Sequence, residues 1–201
     1  MTSRNIFAAL AIAAAAAMQA GCDKPASAPL QFQGVDITGA DYAQTLSLPD
    51  ASGQMRTLAD FKGKVVVVFF GYTQCPDVCP TTMAELAQVK KTLGKDGERV
   101  QGIFVTVDPQ RDTPEVLKSY LASFDPSFVA LRGTPEQTQA VAKEFKVYFA
   151  KVPGTTDGSY TVDHTAGSYV LDGNGKIRVF ERNGSGAPAL TADLKALLAA
   201  S

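Results

Sequence analysis

Residues 65–93 read VVVVFFGYTQCPDVCPTTMAELAQVKKTL, and two periodicities meet across a turn within them. Residues 65–70 (VVVVFF) form a continuous β-branched and aromatic run of strand length, following the turn-forming Lys62, Gly63 and Lys64. A run without polar alternation predicts a central strand buried on both faces, and such a strand needs helices to cover it. Over residues 81–93, Met83, Leu86, Val89 and Leu93 recur about one turn apart and Gly94 supplies a stop, which predicts the covering helix. Between strand and helix lies a loop carrying Cys75, Pro76, Cys79 and Pro80.

Outward from this unit, residues 100–107 (VQGIFVTV) predict a second strand. A helix follows, with Thr113 as N-cap, Pro114 in the first turn, and Val116, Leu117, Tyr120, Leu121 and Phe124 as its apolar positions. Thr134 and Gln137 are spaced as a capping box for another helix, with Val141 and Phe145 on one face. Both helices open on Thr-Pro-Glu, but the segments diverge at once, so this is shared initiation chemistry and not an internal repeat. Strands are then predicted over residues 147–152, 160–162, 167–171 and 176–182, the last two joined by the turn Asp172, Gly173, Asn174, Gly175. Thr191 is placed to cap a final helix with Leu194, Leu197 and Leu198 inward. A βαβ half followed by a ββα half is the order of a thioredoxin-like α/β fold: a central mixed sheet flanked by helices, ending in a β-hairpin and a helix.

The composition agrees with one folded domain. Of 201 residues, 45% are hydrophobic and 19% charged. With 19 basic and 20 acidic residues the formal charge is -1, so no basic field exists to hold a nucleic-acid backbone and no nucleic-acid partner is expected.

Residues 1–21 have the layout of a secretory signal: Arg4, then the apolar run 6–17 (IFAALAIAAAAA), then Ala20 and Gly21 before Cys22. The run is short and Ala-rich for a membrane span, so cleavage is the better reading than a permanent anchor. Small residues before Cys22 resemble the bacterial lipobox, in which the Cys is lipidated and begins the mature chain; Gln19 departs from the aliphatic residue usual there, and ordinary cleavage is the alternative. Residues 22–40 read as a tether and N-terminal extension, opening on the flexible stretch PASAP at 25–29, and residues 41–201 as the folded domain. Asp23 resembles an inner-membrane retention signal, so the expected location is the periplasmic face of a bacterial inner membrane through a lipid anchor, with a soluble periplasmic protein as the alternative.

Metal or redox chemistry must be built from Cys22, Cys75, Cys79 and His164, the only Cys and His residues present. Cys75 and Cys79 lie at the carboxyl end of a strand, where open α/β sheets place their sites. Pro80 suits the first helical position, so the helix N-terminus is expected to make both sulfurs more acidic than average. The spacing is wider than the CxxC of dithiol oxidoreductases; it leaves room for a metal and does not exclude a disulfide. Two thiolates make half of a structural zinc site, whereas thiolates with one imidazole suit copper, as Cu(I) or Cu(II). His164, read as lying in a loop before the strand at 167–171, is the sole candidate nitrogen, and a plain hydrogen-bonded histidine is its other reading.

Three stretches, FFGYTQCPDVCP (69–80), TVDPQRDTP (106–114) and VDHTAGSYVLD (162–172), resemble signatures of the SCO/SenC family in matching order, and the resemblance spans residues 46–198. Members of that family are membrane-tethered, thioredoxin-like proteins that bind copper through two Cys and one His and help build the dinuclear copper centre of cytochrome c oxidase. The resemblance implies that Cys75, Cys79 and His164 are the ligands. It also singles out Asp77, Asp163, Asp108, Arg111 and Asp112 as residues that support the ligands or face a partner, with loop solvation and helix capping as the plainer readings. The implied partners are subunit II of the oxidase or a related copper protein, a copper donor and a thiol reductant.

Two functions follow from this. One is a metallochaperone that passes copper on by ligand exchange. The other is a thiol-disulfide oxidoreductase in which Cys75 and Cys79 act on cysteines of a respiratory or copper protein without carrying copper. A peroxidase fits the fold but lacks the usual TxxC surroundings.

Overall fold

The computed structural model describes residues 30–201. The leader, Cys22 and the PASAP stretch lie outside the described residues. In chain order the elements are β1 (Val35–Asp36), β2 (Ser47–Pro49), β3 (Met55–Thr57), β4 (Val65–Gly71), α1 (Val78–Leu93), β5 (Val100–Thr106) and α2 (Pro114–Ala122). They continue with β6 (Val129–Leu131), α3 (Pro135–Glu144), β7 (Phe149–Pro153), β8 (Tyr160–His164), β9 (Gly167–Leu171), β10 (Ile177–Arg182) and α4 (Gly186–Ala199).

The main sheet has six strands in the order β1-β10-β9-β4-β5-β6. β4 runs parallel to β5, and β5 to β6, while β9 and β10 are antiparallel additions on the other side of β4. Every residue of β4 and β5 is buried, as the unbroken apolar run requires of strands covered on both faces. The β4-α1-β5 crossover is the expected βαβ unit, and α1 and α4 pack against each other. Val67, Val68, Phe69, Phe70, Phe104, Leu117, Phe145, Val170 and Leu194 fill one contiguous core. The central mixed sheet, its helices and the closing hairpin therefore match the thioredoxin-like order.

Both Thr-Pro-Glu starts are helix caps. Thr113 Oγ1 accepts the Val116 N–H, and Thr134 forms the capping box with Gln137. Gly175 takes φ 74° in the β9–β10 turn, a left-handed conformation that glycine adopts without penalty.

Several expectations are corrected. Helix α1 starts at Val78, with Asp77 as N-cap and Pro80 in its first turn, so Cys79 lies inside the helix and not before it. Proline is accommodated there because first-turn amides have no intrahelical partner. Helix α4 begins at Gly186, and Thr191 sits within it, its hydroxyl donating to the Ala187 carbonyl. Val116 is exposed, leaving Leu117 and Leu121 as the buried residues of α2. The short strands β1, β2, β3 and β6 carry too little alternation to be read locally. Their pairing is tertiary: β1 adds an edge to β10, and Leu30, Phe32 and Ile37 pack on the core.

Strands β7 and β8 hydrogen-bond only to each other among the described strands, as a separate two-stranded ribbon. That ribbon carries His164.

Candidate metal centre

Three elements meet at the site. The loop after β4 supplies Cys75, whose backbone N–H donates to the Tyr72 carbonyl in a tight turn. Helix α1 supplies Cys79 from its first turn, and the Cys79 N–H points back at Cys75 Sγ at 3.4 Å. The β8 end supplies His164, which is the last residue of that strand and not a loop residue. Alternation along β8 places Tyr160, Val162 and His164 on one face, with Val162 buried in the core.

The donor atoms of Cys75, Cys79 and His164 all lie within 4.8 Å of one another, the one such group of three or more His, Cys, Asp or Glu residues among the described residues. Cys79 Sγ stands 3.5 Å from His164 Nε2. A sulfur and a nitrogen bound to one ion at about 2.3 and 2.0 Å, with a near-tetrahedral angle, are also about 3.5 Å apart. His164 Nδ1 is 3.1 Å from the Thr165 carbonyl, so it carries the hydrogen and leaves the Nε2 lone pair facing the sulfur. Phe69 and Tyr72 meet the imidazole edge-on, with ring centroids 5.8 and 6.0 Å away, and fix its plane. The donor set therefore fits a soft ion of low coordination number and falls one ligand short of a closed zinc site.

Burial decides the electrostatics. Cys79 is fully enclosed, and desolvation pushes its thiol well above the ordinary range, with the neighbouring Cys75 adding to the effect. The expectation that the helix N-terminus would acidify Cys79 is thus overturned: one turn of helix dipole does not offset removal from water. Burial also lowers the pKa of His164, which keeps the imidazole neutral and able to donate a lone pair at neutral pH. Cys75 is half-buried and is the sulfur at the mouth of the site.

The flanking residues divide sharply. Asp77 and Asp163 are exposed and contribute no ligand atom to the cluster. Asp112 is buried and ties the cysteine loop to β5, accepting from Thr73 Oγ1 at 2.6 Å and Thr106 Oγ1 at 2.5 Å. Asp108 is also buried, accepting from Arg111 Nε and from Tyr160 Oη, the latter at 2.9 Å. Sequence reading missed Gln74, whose Oε1 accepts from Arg111 Nη1, and Tyr160, whose hydroxyl donates to Asp108. The two-residue periodicity running back from His164 is the signal that could have placed Tyr160 on the site face.

The SCO1/SenC family model matches residues 35–199. The chain belongs to this family. It is similar to the copper-bound structure of ScoI from Bradyrhizobium japonicum at 42% identity and a TM-score of 0.69, over 76% of this chain and 97% of that one. A SCO1/SenC family lipoprotein from Bacillus anthracis is similar at 28% identity and a TM-score of 0.64, over 76% of this chain and 92% of that one. The SCO2-like protein of Rickettsia felis is 39% identical over 139 residues, which cover 69% of this chain and 66%, just under two thirds, of that relative.

Proposed function

We propose that this SCO1/SenC chain binds copper as cargo through Cys75, Cys79 and His164, and delivers it to, or prepares the thiols of, the dinuclear copper centre of cytochrome c oxidase. The observation that carries the reading is the approach of His164 Nε2 to Cys79 Sγ at 3.5 Å, with Cys75 in the same cluster. Two sulfurs and an imidazole are soft enough for Cu(I) and can also hold Cu(II), and the missing fourth protein ligand leaves room for an incoming one. Cys79 is enclosed while Cys75 borders solvent, so an acceptor thiolate enters from the Cys75 side and takes the ion by stepwise ligand exchange. Loading requires the reduced pair, because a Cys75–Cys79 disulfide offers neither thiolate; a thiol reductant and a copper donor are the further partners. The pure thiol-disulfide oxidoreductase is not favoured: thiol exchange needs only an attacking thiolate and a resolving partner, so it does not require His164 to converge with both sulfurs, and the similar Bradyrhizobium structure is described as copper-bound.

For location, the proposal is export by residues 1–21, lipidation of Cys22 and a periplasm-facing position at the inner membrane. The lipobox-like sequence and the similarity to a Bacillus anthracis family lipoprotein support it. No helix among the described residues is long and apolar enough to cross a membrane.

The test is a copper titration of the reduced protein, read by X-ray absorption. Wild type should show two sulfurs and one imidazole nitrogen. His164→Ala should lose the nitrogen and stable Cu(II) binding while keeping most thiol exchange. Unchanged copper affinity in that variant overturns the reading.

A further inference from the structure

The histidine ribbon does not pair with the main sheet; its His164 end is joined to β9 through Thr165 and Ala166, whereas its far end at Tyr160 is held by side-chain contacts and by the burial of Val162. Arg111, in the loop between β5 and α2, has a guanidinium that reaches three segments at once. Nε donates to the Asp108 carboxylate in its own loop. Nη1 donates to Gln74 Oε1 at 3.0 Å, beside Cys75, and to the Tyr160 carbonyl at 2.9 Å, at the start of β8. The guanidinium carbon lies 3.7 Å from the centroid of the Tyr160 ring, whose hydroxyl closes the circuit by donating to Asp108. The same guanidinium stands 5.6 Å from the centroid of Tyr72, the ring that meets the His164 imidazole edge-on.

We propose that Arg111 is a positioning residue for the metal site: it pins the start of β8 to the cysteine loop and thereby holds the His164 imidazole within bonding range of the two sulfurs. The inference rests on the copper-site reading above and adds what holds the third ligand in place. Geometry argues for this over simple loop solvation. The guanidinium is engaged on its edge by three acceptors and on its face by the Tyr160 ring. A planar fork that bonds a carboxylate, an amide oxygen and a carbonyl while stacking on a ring cannot be replaced by a lysine ammonium, which is a point charge on a flexible stem. Tyr160 lies four residues before His164 on the same face of a strand, so fixing one end fixes the direction of the other.

The experiment compares wild type, Arg111→Gln, Arg111→Lys and Tyr160→Phe, each reduced and loaded with copper. Folding is checked by circular dichroism, copper affinity by competition, and coordination by X-ray absorption together with the nitrogen hyperfine pattern of the Cu(II) form. Arg111→Gln and Arg111→Lys should remain folded, keep both sulfurs, lose the ordered imidazole signal and bind copper about 10–100-fold more weakly, the usual effect of losing a group that orients a ligand. Tyr160→Phe, which removes only the hydroxyl tie, should lose affinity near the lower end of that range. Full nitrogen coordination and wild-type affinity in the arginine variants overturn the inference and leave the copper site standing. Should both arginine variants unfold, Tyr160→Phe decides: wild-type coordination and affinity there overturn the inference. A wild type without nitrogen coordination overturns the copper-site reading itself.

Discussion

At the scale of single residues, the least expected property is the protonation state of Cys79. Burial holds its thiol neutral, yet a soft ion binds the thiolate, so copper loading at neutral pH must expel that proton. The His164 imidazole, with its pKa lowered by burial, is already neutral and adds little proton competition there. Raising the pH removes competing protons, so apparent copper affinity should rise through the neutral range, by up to about tenfold per pH unit for each proton released. Affinity measured by competition between pH 6 and 8 in the reduced protein checks this, and Cys79→Ser should flatten the slope. Cys79 also shows how far sequence reading reached. Its place at a helix start was legible from Pro80, but its enclosure was not, because the surrounding Phe69, Phe104 and Gly71 come from two strands.

At the scale of elements, the site depends on the close approach of the β4 end to the first turn of α1. A Cβ on Gly71 would stand 2.8 Å from Cys79 Sγ, 2.8 Å from the Phe69 ring and 3.1 Å from Phe104. Gly71→Ala should therefore destabilise the protein by about 1–3 kcal/mol through overpacking, and should shift Cys79 enough to disturb sulfur coordination. Denaturant unfolding alongside X-ray absorption of the copper-loaded variant checks both; wild-type values in each would show that this contact does not constrain the site. The helices α2 and α3 were readable because capping is local: Thr113 and Thr134 bond to amides three residues away. The beginning of α4 was misread because Thr191, a good cap by type, instead bonds back within the helix.

At the scale of the molecule, the first described residues are fastened to the last helix. Asp193 in α4 accepts the amides of Gln33 and Gly34 at 2.7 and 2.8 Å, and Glu181 of β10 is buried beside it. Burial, reinforced by Asp193, pushes the Glu181 carboxyl up from its ordinary 4.5 to about 7. Between those values the folded protein holds a proton that the unfolded chain has released, so this pair contributes stability at low pH that is lost as pH rises to about 7. Glu181→Gln should gain stability relative to wild type on going from pH 4.5 to pH 8, by up to about 3 kcal/mol, in paired denaturant unfolding curves. An equal gap at both pH values would show that Glu181 ionises normally in the fold.

The sequence by itself determined the βαβ unit, the capped helices and the closing hairpin, because each depends on local periodicity or short-range capping; the scarcity of Cys and His narrowed the candidate donors to Cys22, Cys75, Cys79 and His164, and the resemblance to the SCO/SenC family singled out the last three. Only the tertiary structure decided which sulfur is shut away from water, that His164 ends a strand aimed at it, and that Arg111 joins the cysteine loop to the start of β8. Those properties arise from residues far apart in the chain converging on one small volume, where desolvation and side-chain reach, set by the packing of several elements together, outweigh any local preference.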